Sequence, residues 1–212
     1  MTIRVLLVDD HEMFRAGLRA LLNATFDIRV IGEAGNGREA VKKVQEHGPD
    51  VVILDVAMPD LNGIESARLM HSSQPESRIL MLSMHSTAQH VHLALAAGVQ
   101  GYLLKESPGE ELIRAVRAVH RGDRYLCDTL RDAIQSWPDV GERTPIERLS
   151  PRERQVLQLV AEGKTSAEVA VIVHLSQKSV ETYRSRVMRK LEIDDFASLV
   201  KFAIEHGLTP HN

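Results

Sequence analysis

The sequence predicts an α/β domain, built on a doubly wound parallel sheet of five strands, followed by a small all-α domain of four helices. Its 212 residues suit one domain of ordinary size and one smaller domain. In the N-terminal half, short runs rich in Val, Ile and Leu alternate with stretches of helical spacing. Such alternation is typical of a parallel sheet covered by helices on both faces. After about residue 149 only the helical spacing remains.

Five apolar runs are the candidate strands of the first domain, which we place at residues 1–121. They cover residues 3–8, 28–33, 51–55, 79–83 and 101–105. Between the runs, apolar residues recur every three or four positions, as at Phe14, Leu18 and Leu21, which predicts amphipathic helices. Gly48 followed by Pro49 marks a helix end ahead of a strand.

Residues 122–148 form the predicted linker, with one short helix over residues 128–136. Its breakers include Trp137-Pro138, Gly141 and Thr144-Pro145. Four helical stretches follow, at residues 151–161, 166–173, 177–191 and 196–206, and predict a helical domain over residues 149–212. The first stretch opens with Ser150, Pro151 and Glu153, the pattern of a capping box with proline at the first helical position.

Composition limits the classes of function. The net charge of −3 gives no general preference for a polyanionic partner, and no apolar run approaches the roughly 20 residues that span a bilayer. Met1 leads directly into a strand pattern, which differs from a signal peptide, so we expect a cytoplasmic protein without a membrane segment. Cys127 is the only cysteine, which excludes an intrachain disulfide and a cysteine-rich zinc site.

Polar residues stand at the carboxyl ends of four predicted strands. Asp9 and Asp10 follow the first, Asp55 ends the third, Ser83 ends the fourth and Lys105 ends the fifth. Ligands of open parallel sheets bind at this edge. Two carboxylates about 5 Å apart at an effective dielectric constant of about 20 repel by roughly 3 kcal/mol. A bound divalent cation would relieve this repulsion, and few oxygen ligands with open positions favour magnesium, with manganese as the alternative.

Each of these residues also has an ordinary structural explanation. Asp9-Asp10 and Ser83 could cap the helices that follow them, and a single lysine is usually solvated. Asp55 is the hardest to explain in this way, because an unpaired carboxylate at the end of a buried strand is costly. Their common position at four strand ends favours a functional site.

Several separated motifs agree in order and spacing with one family. They are Asp9-Asp10-His11, the segment from Asp55 through Met58-Pro59 to Asn62-Gly63, Leu82-Ser83, and Gly101-Tyr102-Leu103-Leu104-Lys105. Over about the first 121 residues the chain resembles the flavodoxin-like receiver domain of two-component response regulators. The resemblance implies that Asp55 takes a phosphoryl group from the phosphohistidine of a sensor histidine kinase. It also implies that Asp10, Asp55 and the Ala57 carbonyl bind magnesium directly, and that Asp9 acts through water.

The same resemblance assigns a switch to three residues. Lys105 would pair with the phosphoryl oxygens, Ser83 would rotate to hydrogen-bond them, and Tyr102 would change rotamer with Ser83. Physical chemistry agrees, because carboxylate attack on phosphorus requires charge neutralisation and the product carries nearly two negative charges. The alternative for Tyr102 is a half-exposed strand tyrosine without such a role.

The helix predicted at residues 177–191 has a basic, polar outer face. From Ser176 to Leu191 the chain carries five positive charges and one negative charge. Val180 and Val187 take the inner face, and the outer face carries Lys178, Glu181, Thr182, Ser185, Arg186 and Arg189. This face suits a DNA major groove, although a solvated amphipathic helix would show the same pattern.

A second resemblance covers this region, because Ser150-Pro151-Arg152-Glu153, Gly163-Lys164, Leu175 to Val180 and Arg189-Lys190-Leu191 are similar to the LuxR-type DNA-binding domain. Together the two domains resemble the NarL/FixJ family of response regulators. The positions of its base-facing residues hold Glu181, Thr182 and Ser185, and those suited to phosphate contacts hold Lys178, Arg184, Arg186 and Arg189. Many relatives carry a basic residue in place of Glu181, which either accepts a hydrogen bond from cytosine or repels phosphates.

These observations predict a phosphorylation-controlled transcription regulator and not an enzyme. Its expected partners are a sensor histidine kinase, double-stranded promoter DNA, RNA polymerase and a second copy of itself, with Phe196, Leu199 and Val200 of the last helix as a candidate dimer interface. Two alternatives remain. One is a magnesium-dependent phosphatase with an aspartyl-phosphate intermediate. The other is a regulator that binds DNA without phosphorylation and uses its first domain only to dimerise.

Overall fold

The computed structural model describes residues 2–84, 86–130 and 144–209. The strands of its sheet are β1 (Ile3–Val8), β2 (Ile28–Ala34), β3 (Val51–Asp55), β4 (Arg78–Ser83), β5 (Gly101–Leu104) and β6 (Tyr125–Leu126). The helices of the first domain are α1 (Glu12–Asn23), α2 (Gly37–His47), α3 (Gly63–Ser73), α4 (Ala88–Ala96) and α5 (Gly109–Arg121). The C-terminal helices are α6 (Pro151–Ala161), α7 (Ser166–Ile172), α8 (Gln177–Leu191) and α9 (Phe196–Glu205).

The sheet is parallel throughout and has the strand order β2-β1-β3-β4-β5-β6. The chain passes from β1 to β2 on one side and returns to β3 on the other side of β1. The strand order therefore reverses between β1 and β3, and the crevice beyond their carboxyl ends is the expected ligand site. All five residues of β3 are buried, which explains why this strand is a continuous apolar run closed by a single carboxylate.

Helices cover both faces of the sheet, which confirms the predicted fold class. Helices α2, α3 and α4 lie side by side on one face. On the other face α1 meets α5, where a Cβ added to Gly109 would lie 2.9 Å from Leu21 Cδ2. Glycine at position 109 therefore lets the two helices approach closely.

Within the described residues the sheet has six strands, so the prediction of five was wrong by one. The additional strand, β6, pairs with β5 through Gly101 opposite Tyr125 and Tyr102 opposite Leu126. Two residues are too few to show a strand periodicity, and this strand lies in the predicted linker. Most of the helix predicted at residues 128–136 lies outside the described residues.

A short 3-10 helix, Pro145–Arg148, ends the predicted linker, and α6 to α9 of the C-terminal domain follow it. The predicted capping box at α6 is confirmed, since Glu153 N donates to Ser150 Oγ at 3.3 Å and Ser150 N donates to Glu153 Oε2 at 2.7 Å. A tight turn through His174, which has a φ of 52°, joins α7 to α8 and gives the predicted helix-turn-helix. In the described parts of the chain, no helix combines the length and apolar character needed to cross a membrane.

One expectation for α9 was wrong. Leu199 is only 1% exposed and packs inside the C-terminal domain, so its side chain offers no free surface to a second copy. Val200 is half-buried, and Phe196 is 45% exposed. The apolar spacing of a short helix does not reveal which of its residues face its own domain.

Candidate functional site

Four strands deliver their terminal polar residues to one edge of the sheet, as the sequence predicts. Asp9 follows β1, Asp55 ends β3, Ser83 ends β4 and Lys105 follows β5. Parallel pairing keeps these ends level, and Lys105 N donates to Ser83 O at 2.8 Å. The side chains therefore meet because of the strand register, although 96 positions separate the first from the last.

The ammonium group of Lys105 bridges two buried carboxylates. Its Nζ lies 2.7 Å from Asp55 Oδ2 and 2.7 Å from Asp9 Oδ2. The side chains of Asp9 and Asp55 are 3% and 4% exposed. One buried positive charge thus faces two buried negative charges, and this excess negative charge favours a proton or a further cation at the site.

Asp10 and His11 complete the acidic cluster. His11 Nδ1 lies 2.8 Å from Asp10 Oδ1 and 3.2 Å from Asp9 Oδ1. Four residues each place one possible metal-ligand atom here, and these four atoms all lie within 4.8 Å of one another: Asp9, Asp10, His11 and Asp55. Three carboxylates suit a hard divalent cation such as magnesium. Sequence reasoning gave no role to His11, although its position directly after two aspartates was the available signal.

The environment of Asp55 disfavours its charged form. Burial and the neighbouring Asp9 carboxylate raise the pKa of Asp55 from 3.8 to about 7, although Lys105 opposes this shift. Burial lowers the pKa of Lys105, but the carboxylates of Asp55 and Asp9 outweigh burial and raise it overall. Lys105 therefore stays positively charged, and Asp55 takes up a proton readily when no other cation is present.

The segment from Val56 to Asn62 connects β3 to α3 and begins directly after Asp55. Gly63 N donates to Val56 O at 2.8 Å, and a Cβ at Gly63 would lie 1.9 Å from the carbonyl oxygen of Asp55. Only glycine permits this close approach of α3 to the end of β3. Ala57, the predicted carbonyl ligand, is half-buried and lies two positions beyond Asp55.

Ser83 and Tyr102 lie next to each other inside the domain. Tyr102 is fully buried and shares a side-chain hydrogen bond with Ser83. Burial raises the pKa of the Tyr102 hydroxyl, and the hydrogen bond to Ser83 opposes the shift. The alternative of a half-exposed strand tyrosine was therefore wrong, because this side chain occupies the interior beside the cluster.

The outer face of α8 is open to solvent. Val180 and Val187 are buried against the rest of the C-terminal domain, as predicted. The exposed residues are Lys178, Glu181, Thr182, Ser185, Arg186 and Arg189. These side chains form one continuous helix face, whose basic residues are free of ion pairs among the described residues.

Two further basic residues of α8 contact other parts of the C-terminal domain. Arg184 is half-buried, and its guanidinium lies 5.7 Å from the centre of the Phe196 ring. Lys190 Nζ lies 2.7 Å from Glu153 Oε2 and ties α8 to the start of α6. Lys190 therefore stabilises the domain, and Arg184 reaches the edge of the exposed face.

Sequence reasoning also missed a contact between the two domains. Gln158 of α6 is fully buried and binds the segment between β3 and α3. Arg154 of α6 forms a buried ion pair with Glu65 of α3, with 2.6 Å between Nε and Oε1. No sequence signal marks these residues, because a polar residue on an amphipathic helix normally faces solvent.

Comparison with known protein families gives two matches. Residues 5–117 match the response regulator receiver domain, and residues 147–203 match the bacterial regulatory proteins of the luxR family. Among individual proteins, the response regulator VraR of Staphylococcus aureus is 34% identical over 212 residues, which cover 98% of this chain and 99% of VraR.

Solved structures give the same result. A LuxR-family two-component response regulator from Aurantimonas sp. SI85-9A1 is 33% identical, with a TM-score of 0.62, over 64% of this chain and 96% of that protein. Salmonella typhimurium RcsB shares the fold at 23% identity, with a TM-score of 0.60, over 96% of this chain and 98% of RcsB.

Proposed function

Because this chain belongs to the response regulators that join a receiver domain to a LuxR-type DNA-binding domain, we propose that Asp55 is its phosphoacceptor. The chain is a DNA-binding response regulator of a two-component system and a regulator of transcription, in a family that is not one of enzymes. For its domains we propose residues 1–121, 122–148 and 149–212 as receiver, linker and DNA-binding domain.

The observation that carries the proposal is the bridge from Lys105 to Asp9 and Asp55. In the proposed reaction, an Asp55 carboxylate oxygen forms a bond to phosphorus while the bond from phosphorus to the imidazole nitrogen of the histidine kinase breaks. Lys105 exchanges its contact with Asp55 for the incoming phosphoryl oxygens, whose charge it neutralises. Its remaining contact with Asp9, at 2.7 Å, keeps the ammonium group in place.

A divalent cation fits the remaining acidic oxygens. We propose Mg²⁺, with Mn²⁺ as the alternative, held by Asp10, Asp55 and the carbonyl of Ala57, with Asp9 acting through water. The cluster of ligand atoms within 4.8 Å supports this fit, and so does the raised pKa of Asp55, because burial and the Asp9 carboxylate disfavour its charge in the absence of a cation. When bound, the cation neutralises charge on the phosphoryl oxygens and on the attacking carboxylate.

Ser83 and Tyr102 form the proposed switch. The phosphoryl group on Asp55 accepts a hydrogen bond from the Ser83 hydroxyl, which gives up its contact with Tyr102. Burial of the Tyr102 ring supports this role, because a change at Ser83 alters the packing of a large interior side chain. Phosphorylation at the acidic cluster thereby changes the packing of a side chain within the sheet.

For DNA we propose that the outer face of α8 enters the major groove. Glu181, Thr182 and Ser185 face the bases, and the phosphate contacts come from Lys178, Arg184, Arg186 and Arg189. The exposure of this face supports the proposal, and RcsB, which shares the fold, has been solved in complex with DNA.

A single recognition helix buries little surface, so we also propose a homodimer that binds two half-sites. Promoter binding implies RNA polymerase as a further partner and the cytoplasm as the place of action.

The site assignment is tested by incubating the chain with acetyl phosphate and Mg²⁺ and mapping the modified residue by mass spectrometry. We expect one phosphoryl group, on Asp55, and none in Asp55→Ala. Asp123→Ala, which removes an exposed aspartate outside the cluster, serves as the control and should react like the wild type. A phosphoryl group on another residue, or one that persists in Asp55→Ala, would overturn the assignment.

A further inference from the structure

The side chain of Gln158, in the DNA-binding domain, joins both ends of the segment that follows Asp55. Its Nε2 donates to Met58 O at 2.8 Å. Its Oε1 accepts from Asn62 N at 2.9 Å and from Asn62 Nδ2 at 3.0 Å. Gln158 and Asn62 are 0% and 1% exposed, so these bonds form without competition from solvent.

The middle of the same segment is held as well. Glu162, one turn beyond Gln158, accepts from Asp60 N at 3.1 Å and from Gln158 Nε2 at 2.8 Å. Asp60 has a φ of 65°, a left-handed conformation that is strained in a residue other than glycine. Lys164 adds an ion pair to Asp60 at 3.2 Å. One rigid helix and its end therefore hold residues 58–62 at three points.

This contact leaves the DNA-reading surface free. Glu181, Thr182, Ser185, Arg186 and Arg189 stay exposed while Gln158 is bound. The docked domain therefore acts on the receiver without closing the outer face of α8. The docked domain contacts the segment that follows Ala57. At its end, Gly63 packs against the backbone of Asp55.

We propose that Gln158 is a positioning residue for phosphoryl transfer, through which the DNA-binding domain holds residues 58–62 and slows phosphorylation of Asp55. This inference rests on the proposed function of Asp55. Gln158 would control how residues 58–62 adjust around the Asp55 carboxylate during phosphoryl transfer.

The direction of the effect follows from the geometry. Ala57 directly precedes Met58, so any adjustment of the Ala57 backbone around the reacting carboxylate would also move Met58 O, which Gln158 holds. A similar shift at the other end moves Asn62 N away from Gln158 Oε1. Because each adjustment strains bonds to a rigid helix, docking slows phosphorylation.

The test compares Gln158→Leu and Gln158→Glu with the wild type in the full-length chain. Leu removes all the bonds, and Glu keeps an acceptor for Asn62 but places a carboxylate against Met58 O and Glu162. Gln155→Leu is the matched control, because Gln155 lies on the same helix and its bond is to Arg152 of α6. Circular dichroism on heating verifies that each variant is folded.

Two quantities are measured. The first is the rate of Asp55 phosphorylation by acetyl phosphate with Mg²⁺, which should rise about fivefold or more in both Gln158 variants and remain unchanged in Gln155→Leu. The second is amide hydrogen exchange of residues 57–62 without Mg²⁺, which should be faster in the Gln158 variants only. An unchanged or slower phosphorylation rate in the folded Gln158 variants overturns the proposal. A wild type that takes no phosphoryl group on Asp55 overturns the proposed function instead.

Discussion

The chemistry of the receiver centres on a carboxylate that the fold stabilises poorly. Asp55 is buried beside Asp9, and its pKa of about 7 shows that Lys105 does not fully offset these effects. An acid whose pKa is raised on folding binds more protons in the native state than in the unfolded state. Its contribution to stability therefore becomes less favourable as the pH rises from about 4 to 7, and stays constant above that.

We expect Asp55→Asn to stabilise the protein at neutral and alkaline pH. The shift from 3.8 to about 7 corresponds to a gain on the order of 4 kcal/mol above pH 7. This gain should shrink steadily as the pH falls toward 5. Urea unfolding in EDTA, followed by circular dichroism between pH 5 and 8, measures the difference from the wild type.

Asp123→Asn, at an exposed position, is the control and should change the free energy of unfolding by less than about 0.5 kcal/mol at each pH. A gain in Asp55→Asn that is absent, or that does not depend on pH, would contradict the account of the acidic cluster.

Residues of the cluster could be predicted from sequence because strand register alone brings them together. Asp9, Asp55 and Lys105 stand at strand ends, and parallel pairing places such ends at one edge. Gln158 could not be predicted in this way. Its role depends on how two separately folded domains dock, and neither helical spacing nor residue type carries that information.

At the scale of elements, α8 divides its basic residues between stability and recognition. Lys190 forms an ion pair with the buried Glu153, whereas Arg189, its neighbour in sequence, forms no ion pair among the described residues. Glu181 lies on the same exposed face and adds a negative charge to it. This face therefore attracts a phosphate backbone less strongly than its count of arginines suggests.

Substitutions on this face should separate phosphate contacts from base contacts. Arg189→Ala should weaken binding to all duplexes about equally and reduce the salt dependence by about one counterion. Glu181→Ala tests whether Glu181 accepts a hydrogen bond from a base or repels the DNA phosphates. A base contact predicts a loss of sequence preference, and phosphate repulsion predicts tighter binding to every duplex.

Fluorescence titration at several salt concentrations measures both effects, with a duplex selected from a random pool and a scrambled duplex. Lys201→Ala, an exposed lysine on α9 outside this face, is the control. Equal salt slopes for Arg189→Ala and the wild type would exclude a phosphate contact by Arg189.

Elements with strong periodicity could be predicted closely, and short or irregular ones could not. Helix α8 begins and ends where the sequence predicts, because a serine caps its start and its apolar positions are regular. Strand β6 has two residues and no periodicity of its own, and it forms because β5 offers it an open edge.

At the scale of the whole molecule, the two domains share buried polar contacts. The pair Arg154–Glu65 and the bonds of Gln158 are satisfied only while the domains are docked. Breaking one partner of such a contact leaves a buried polar group unpaired, so docking behaves as a two-state property of the chain. We expect a phosphoryl group on Asp55 to bias that equilibrium, because Gly63, at the end of the segment that Gln158 holds, packs against the backbone of Asp55.

The central claim is that phosphorylation of Asp55 controls DNA binding, and one measurement tests it most directly. The affinity of the full-length chain for a selected duplex is measured with Mg²⁺, with and without acetyl phosphate, beside Asp55→Ala. We predict that acetyl phosphate tightens binding about tenfold or more in the wild type and leaves Asp55→Ala unchanged. Equal affinity of both proteins under both conditions would contradict the claim and leave the receiver as a dimerisation module.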